Sequence, residues 1–215
     1  WVYENEKDIG AAFKDIFGSG ARKREDVFVT SKLWNHAHKK NSVRRACEIT
    51  LRDLHLEYLD LYLMHWGIAV SEKESEQMDD TDTLILEKTS VRETWEAMED
   101  LVRGGLVKAI GVANFTAPML IDLIAYAKIP PAVNQIELHP YLGQSRLLKF
   151  CTSQNIAVTA YSPLGSPGNY TEQGMPVLLE DKTVMTIARD KGKSPAQVLI
   201  RWGIQRNTIV IPKSV

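Results

Sequence analysis

The chain has 215 residues, 44% hydrophobic and 25% charged, a balance typical of a globular protein with a substantial core. Its net charge of −1 gives no electrostatic reason to expect binding to nucleic acid or to an anionic membrane. No run approaches the roughly 18 apolar residues of a membrane span, and two cysteines are too few for a disulfide framework, which favours a reducing, cytoplasmic compartment.

Helical and strand-like segments alternate along the chain. Apolar residues at helical spacing predict helices at 4–17, 42–54, 90–102, 118–127, 146–154, 182–189 and 195–205. Two of them begin with a predicted capping box, Ser90 with Glu93 and Ser194 with Gln197. Short apolar, β-branched runs predict six buried strands at 27–32, 59–66, 108–115, 132–140, 157–165 and 208–215. The alternation predicts repeated βα units in a single domain spanning residues 1–215.

Each predicted strand carries a residue at or near its end that could take part in chemistry. These residues are Lys32, His65, Asn114, Gln135, Tyr161 and Lys213. A (β/α)8 TIM barrel would bring them to its active-site face, but such a barrel has eight strands and the chain shows six. We therefore expect an incomplete barrel that lacks the first βα unit, the second strand and the last helix. Either flanking residues are missing from this sequence or the chain is a fragment.

Two long loops interrupt the pattern. The loop at 67–89 is rich in acidic residues, which is typical of an exposed, solvated segment. Because it follows the end of a strand, a lid over substrate is the alternative. The loop at 165–180 contains several glycines and prolines and could form a flexible cover over a ligand.

Taken one at a time, the polar strand-end residues have two interpretations. Lys32 is either a lysine that reaches the rim or a cation that lowers the pKa of a neighbour. His65 is either a core histidine or a proton donor. With His139 it could suggest a metal site, but no carboxylate is predicted to end a strand and no HExxH spacing occurs, so we predict no metal. The sequence also lacks a dinucleotide-binding glycine fingerprint and a phosphate-binding P-loop.

An ordered series of motifs is more specific than any single residue. The series runs through YENE (3–6), VTSKLW (29–34), LYLMHW (61–66), GLVKAIGVANF (105–115), VNQIELHP (133–140), AYSPLG (160–165), KSPAQVLIRW (193–202) and IPKS (211–214). In content and order it resembles the aldo-keto reductases, and the resemblance covers nearly the whole chain. It implies a (β/α)8 barrel that binds an extended NADPH at the strand ends.

The resemblance implies a proton-transfer site. Tyr3 would be the general acid that gives its proton to the carbonyl oxygen as hydride reaches the carbonyl carbon. A tyrosine with a pKa near 10 is a weak acid at neutral pH, and Lys32 beside it would lower that pKa. His65 would orient and polarise the carbonyl.

The resemblance also assigns residues to the cofactor and to the substrate. Asn114 and Gln135 would hold the nicotinamide carboxamide, and Tyr161 would stack on the ring. The other cofactor positions are Ala113 beside the carboxamide, Ser162, Leu164 and Ser166 along the pyrophosphate, and Lys213 and Ser214 at the 2′-phosphate. The substrate would be a small carbonyl compound in a pocket lined by Val2, Trp34 and Trp66.

The chain departs from the family pattern at four points. Ala113 stands where the family usually has a serine, and Gly67 replaces a common proline after Trp66. The aspartate that pairs with the catalytic lysine would precede Trp1, and an arginine for the 2′-phosphate would follow Val215. The leading hypothesis is thus a monomeric, NADP-dependent oxidoreductase that reduces aldehydes and ketones. The alternatives are a redox-sensing regulatory subunit that binds other proteins, or an inactive fragment.

Overall fold

The structure, a computed structural model, describes residues 4–71, 86–166 and 176–213. Val2, Tyr3, Ser214 and the greater part of both long loops lie outside the described residues. The chain divides into two compact units, one made of residues 1–113 and 118–132 and the other of 114–117 and 133–215. Whether the whole chain behaves as a single domain stays a prediction.

Strands and helices alternate as the sequence predicts. Within residues 4–71, 86–166 and 176–213 there are six strands, β1 (Thr30–Leu33), β2 (Leu59–Met64), β3 (Val107–Ala113), β4 (Val133–Glu137), β5 (Ala157–Tyr161) and β6 (Ile209–Val210). The described residues contain the helices α1 (Glu6–Gly18), α2 (Lys40–Asp53), α3 (Val91–Arg103), α4 (Ala117–Tyr126), α5 (Ser145–Ser153), α6 (Lys182–Lys191) and α7 (Pro195–Gln205). Short 3₁₀ turns lie at Arg24–Asp26, Asn35–Ala37 and Leu178–Glu180.

The first unit is built around three parallel strands. In register, β1 pairs with β2 (Lys32 opposite Leu63) and β2 pairs with β3. Strand β2 is buried along its whole length, as expected for a strand covered on both faces. Helix α3 packs against β3 and α2, and its buried Trp95 donates a hydrogen bond from Nε1 to the carbonyl of Ile129 at 3.1 Å.

A glycine sets the distance between α1 and α2. A Cβ atom at Gly10 would lie 2.1 Å from the carbonyl oxygen of Asp53, so no other residue fits there without a shift of the backbone. The close approach fixes α1, the helix that follows Tyr3, against the end of α2.

The second unit contains three further parallel strands. Strand β5 pairs with β4 on one side and with β6 on the other. Helices α6 and α7 enclose a small core of Leu178, Val184 and Leu199. Gly203 of α7 allows a close approach to β6, since a Cβ atom there would lie 2.6 Å from Val210 Cγ1.

Several local predictions need correction. The apolar residues 27–29 are outside β1, which starts at Thr30 where pairing with β2 begins. The capping box of α7 is confirmed in both directions, whereas that of α3 is only half formed. Ser90 accepts from the Glu93 N–H, but the Glu93 carboxylate accepts from the backbone N–H of Lys40 at 3.4 Å, so a contact between helices replaces the local one.

Candidate active site

In the first unit, the structure brings Lys32 and His65 to the same end of neighbouring strands. Lys32 is the third residue of β1, and His65 follows the last residue of β2. The backbone N–H of His65 donates to the carbonyl oxygen of Leu33 at 3.1 Å, which continues the β1–β2 ladder by one residue. Both side chains are therefore positioned by regular, hydrogen-bonded backbone.

The surroundings of His65 disfavour its charged form. Burial, and then the positive charge of Lys32, lower the pKa of His65 from 6.5 to about 4. The indole ring of Trp34 packs edge-on against the imidazole, with 4.8 Å between ring centroids. The imidazole is thus neutral near pH 7 and carries one N–H donor and one acceptor nitrogen.

Lys32 lies in a similar environment, because burial lowers the pKa of its ammonium group. A cavity of about 430 Å³ is lined by Lys32, Trp34 and His65 together with residues of α1 and β1. Asn5, two residues after Tyr3, also lines this cavity. Trp66 stacks near the imidazole, at 6.4 Å between ring centroids, and is 41% exposed.

The role of Glu6 was missed in the sequence. Its carboxylate accepts from Ser31 Oγ at 2.9 Å and from Thr50 Oγ1 at 3.2 Å. These bonds attach the start of α1 to the strand residue that precedes Lys32. Glu6 is the last residue of the YENE motif, but the motif does not indicate these two partners.

In the second unit, three predicted cofactor residues form one connected group. The backbone N–H of Asn114 donates to the carbonyl of Gln135, and Tyr161 Oη donates to Asn114 Oδ1, each at 2.9 Å. Asn114 has a φ of 62°, a left-handed conformation that asparagine tolerates better than most residues. Gln135, which was predicted near a strand end, instead lies in the middle of β4 and is 5% exposed.

The segment after β5 forms a tight turn of unusual backbone conformation. Ser162, Gly165 and Ser166 have φ values of 48°, 79° and 44°. Gly165 N–H donates to the carbonyl of Ser162, and the hydroxyl of Ser166 donates to that of Ser162 at 2.6 Å. Left-handed residues other than glycine cluster at functional sites, so this turn is a candidate ligand loop. Leu164 packs on the core of the unit.

The remaining predicted residues are less informative. Ala113 ends β3 and is buried, while Lys213 is exposed and follows β6 by three residues.

One sequence argument was wrong, since a carboxylate does end a strand. Glu137 is the last residue of β4, and its Oε1 lies 3.0 Å from Nε2 of His139. The two are separated by one residue in the ELHP segment, a spacing that could have revealed the pair. Among the described residues, no group of three or more His, Cys, Asp or Glu side chains is placed to hold a metal ion.

Comparison with known proteins identifies the family. The sequence pattern that defines the Aldo/keto reductase family matches residues 1–215. The chain belongs to the aldo-keto reductase family. Aldose reductase B of Dictyostelium discoideum is 49% identical over 219 residues, an alignment that covers 99% of this chain and 68% of the relative. Aldo-keto reductase family 1 member A1-A of Danio rerio is 48% identical over 217 residues, covering 100% of this chain and 67% of the relative.

The solved structures agree with this assignment to the aldo-keto reductases. The aldose reductase of Giardia lamblia superposes with a TM-score of 0.92 at 47% identity, covering 100% of this chain and 72% of that protein. The predicted family, the parallel α/β fold related to the (β/α)8 barrel, and the class of NADPH-dependent oxidoreductase acting on carbonyl compounds are confirmed. In the part of the chain that the structure describes, no helix is both long and apolar enough to cross a membrane.

The residues of the second unit fit a nicotinamide cofactor. A carboxamide needs both a hydrogen-bond donor and an acceptor, and the amide side chains of Asn114 and Gln135 offer both. Asn114 Oδ1 accepts from Tyr161 Oη at 2.9 Å, a bond that orients the side-chain amide of Asn114. The Tyr161 ring, held through its hydroxyl, gives a flat surface suited to stacking.

Proposed function

We propose that Tyr3, Lys32 and His65 carry out the proton transfer of carbonyl reduction, while Asn114, Gln135 and Tyr161 hold the nicotinamide. The observation that carries this proposal is the environment of His65. Burial and Lys32 together keep its imidazole neutral, with a pKa of about 4. A neutral imidazole donates one hydrogen bond to a carbonyl oxygen without competing for the proton that Tyr3 supplies.

When bound, the reduced nicotinamide supplies the hydride that reaches the carbonyl carbon. The chain's own residues handle the proton. Tyr3 donates it to the carbonyl oxygen, and the nearby positive charge of Lys32 stabilises the phenolate that remains. The bonds from Ser31 and Thr50 to Glu6 support this arrangement, because they attach the segment that follows Tyr3 beside the strand that carries Lys32.

The cofactor extends, in this proposal, from the nicotinamide group to the turn at 162–166 and on to Lys213 and Ser214. Ser162, Leu164 and Ser166 would line the pyrophosphate, and Lys213 with Ser214 would bind the 2′-phosphate that distinguishes NADPH from NADH. Ala113 removes the hydroxyl contact that a serine would provide, so binding of the carboxamide depends on Asn114 and Gln135.

We further propose a broad specificity for aldehydes and ketones. Trp34 and Trp66, with Val2, would form an apolar wall, and His65 and Tyr3 would be the few polar groups that orient the carbonyl. The protein would act as a cytoplasmic monomer. Its two cysteines, Cys47 and Cys151, are buried and free, which fits a reducing compartment.

A steady-state assay tests the proposal. Oxidation of NADPH is followed with 4-nitrobenzaldehyde as substrate for the wild-type protein and for His65→Asn. We expect turnover in the wild type and a loss in kcat/KM of roughly 100-fold in His65→Asn. The control is His55→Asn, an exposed histidine outside the site whose φ of 54° an asparagine tolerates.

Each possible result of the assay has a clear meaning. Activity of His55→Asn should equal that of the wild type. Absence of turnover in the wild type would contradict the enzymatic function and favour a regulatory subunit or an inactive fragment. Equal activity of wild type and His65→Asn would remove His65 from the mechanism.

A further inference from the structure

A carboxylate borders the residues proposed to hold the nicotinamide. Glu137 ends β4 and lies directly opposite Tyr161, the last residue of β5. Side chains alternate between the two faces of a strand, so Glu137 shares the face of Gln135, two residues earlier. Glu137 therefore lies on the same side of β4 as a residue proposed to bind the cofactor.

The negative charge of Glu137 affects Tyr161, the residue proposed to stack on the nicotinamide. Burial, and then the charge of Glu137, raise the pKa of the Tyr161 hydroxyl. The backbone N–H of Leu138 also donates to the carbonyl of Tyr161 at 3.3 Å, so the ends of the two strands are held together. Tyr161 in turn contacts Asn114 through its hydroxyl at 2.9 Å.

Glu137 is fixed in place by its neighbours. Nε2 of His139 lies 3.0 Å from the carboxylate, and His139 is 6% exposed. Its other ring nitrogen is buried and has no hydrogen-bond partner among the described residues. A proton there would be a buried donor without an acceptor, so the favoured tautomer carries its proton on Nε2 and donates it to Glu137. The side-chain amide of Gln144 donates to the Glu137 carbonyl at 3.3 Å.

We propose that the Glu137 carboxylate, held by His139, makes the cofactor site prefer the oxidised form of the nicotinamide cofactor over the reduced form. The inference rests on the proposed function, in which Tyr161 stacks on the nicotinamide. The oxidised ring carries a positive charge and the reduced ring is neutral, so a fixed negative charge beside Tyr161 stabilises only the oxidised form. Glu137 acts through the electric field that its negative charge produces at Tyr161. It is therefore a positioning residue and not a catalytic one.

This preference can be measured without turnover. Isothermal titration calorimetry gives the dissociation constants of NADP⁺ and NADPH separately, and their ratio reports the effect of charge. In Glu137→Gln, which keeps the size and can still accept from His139, we expect the Kd of NADP⁺ to rise about fivefold relative to that of NADPH. Glu137→Asp keeps the charge and should keep the ratio within about twofold of the wild type.

Two further variants complete the design. Asp190→Asn, in the same unit, removes an exposed carboxylate and should leave the ratio unchanged. The double variant Glu137→Met with His139→Leu replaces the pair by apolar groups, a change that buried pairs often tolerate. It should shift the ratio as Glu137→Gln does, and it provides a neutral site if Glu137→Gln does not fold.

The outcomes separate this inference from the proposed function. If the wild type binds both cofactors and neither neutral variant shifts the ratio, the inference about Glu137 is overturned and the proposed function stands. A shift in Glu137→Asp as large as in Glu137→Gln would assign the effect to shape instead of charge and would also overturn it. If the wild type binds neither NADP⁺ nor NADPH, both proposals fail.

Discussion

In the first unit, the carboxyl ends of the strands disfavour charged side chains, whereas the amino ends stabilise them. At the carboxyl ends, burial lowers the pKa of Lys32, and burial with Lys32 lowers that of His65, so the charged forms are disfavoured. At the amino ends, Asp60 accepts from Arg24 at 2.8 Å and from Lys108 at 3.1 Å. Burial alone would raise the pKa of Asp60, but the backbone N–H of Val29 and the two cations outweigh it and lower that pKa.

The amino-end group of Arg24, Asp60 and Lys108 has the features of a structural network. Arg24 and Lys108 both lie over the ring of Tyr58, with 4.1 Å and 4.0 Å to its centroid. Each charge has a partner of opposite sign or an aromatic face. At the carboxyl ends, by contrast, Lys32 and His65 are partly desolvated, which destabilises their charged forms. In barrels of this type the carboxyl ends carry the chemistry and the amino ends carry stability.

Replacement of Lys32 by methionine is expected to have the largest effect, and it directly tests the contrast between the carboxyl and amino ends of the strands. Lys32→Met should lower kcat for 4-nitrobenzaldehyde by roughly 10³-fold, because the positive charge that supports the acid is lost. Its thermal midpoint should not fall, since methionine removes a charge that burial disfavours. Steady-state kinetics and thermal unfolding, monitored by circular dichroism, measure the two effects on one preparation.

The matched control for Lys32 is the lysine at the opposite end of the strands. Lys108→Met removes an exposed cation that contacts Asp60 and Tyr58, so kcat should stay at the wild-type value while the thermal midpoint falls slightly. A loss of activity in Lys108→Met, or of stability alone in Lys32→Met, would contradict the division of roles between the two ends.

Loss of Asp60 should give the largest change in stability. Asp60→Ala leaves Arg24 without its carboxylate in a site where the two side chains are 9% and 17% exposed. We expect the free energy of unfolding to fall by about 3 kcal/mol, measured by urea denaturation. Asp100→Ala is the control, since it removes a 56% exposed partner of Arg103 and should change the free energy by less than about 0.5 kcal/mol. Similar losses in both variants would mean that burial of the Asp60 network adds no stability.

The elements of this fold could be predicted because their signals are local. Short apolar, β-branched runs located the six strands of the described residues, and the Ser194–Gln197 box located the start of α7. The local predictions that were wrong concern features that depend on contacts with residues distant in the sequence. Residues 27–29 look like a strand, but the register with β2 begins only at Thr30. The Glu93 side chain bonds to Lys40 of another helix and not to Ser90.

The candidate site was predictable only through the ordered motifs. Taken alone, Lys32 and His65 each had a structural explanation as well as a functional one. The contact between Glu137 and His139 was not recognised because β4 ends earlier than its apolar run suggests. Likewise, the bonds from Ser31 and Thr50 to Glu6 join residues 25 and 44 positions apart, and no local pattern indicates such pairs.

The smallest expected effect concerns the coupling between Lys32 and His65. Nuclear magnetic resonance of the imidazole C2 proton should give a pKa of about 4 for His65 in the wild type. In Lys32→Met this pKa should rise, because one positive charge near the imidazole is gone. It should stay below the ordinary value of 6.5, since burial is the larger cause and remains.

The lowered pKa of His65 also makes the stability of the folded protein depend on pH. Because the pKa of His65 is lower in the folded state, the unfolded chain binds the proton more readily, and the stability that His65 contributes is fully present above pH 6.5 and is lost as pH falls towards 4. His38, whose pKa burial and His36 also lower to about 4, adds a second loss in this window. Denaturation at several pH values should therefore show a shallower fall for Lys32→Met than for the wild type, while His38→Asn should remove its own share without affecting the His65 titration. An unchanged His65 pKa in Lys32→Met would mean that the two side chains act independently, and burial alone would then account for the lowered pKa of His65.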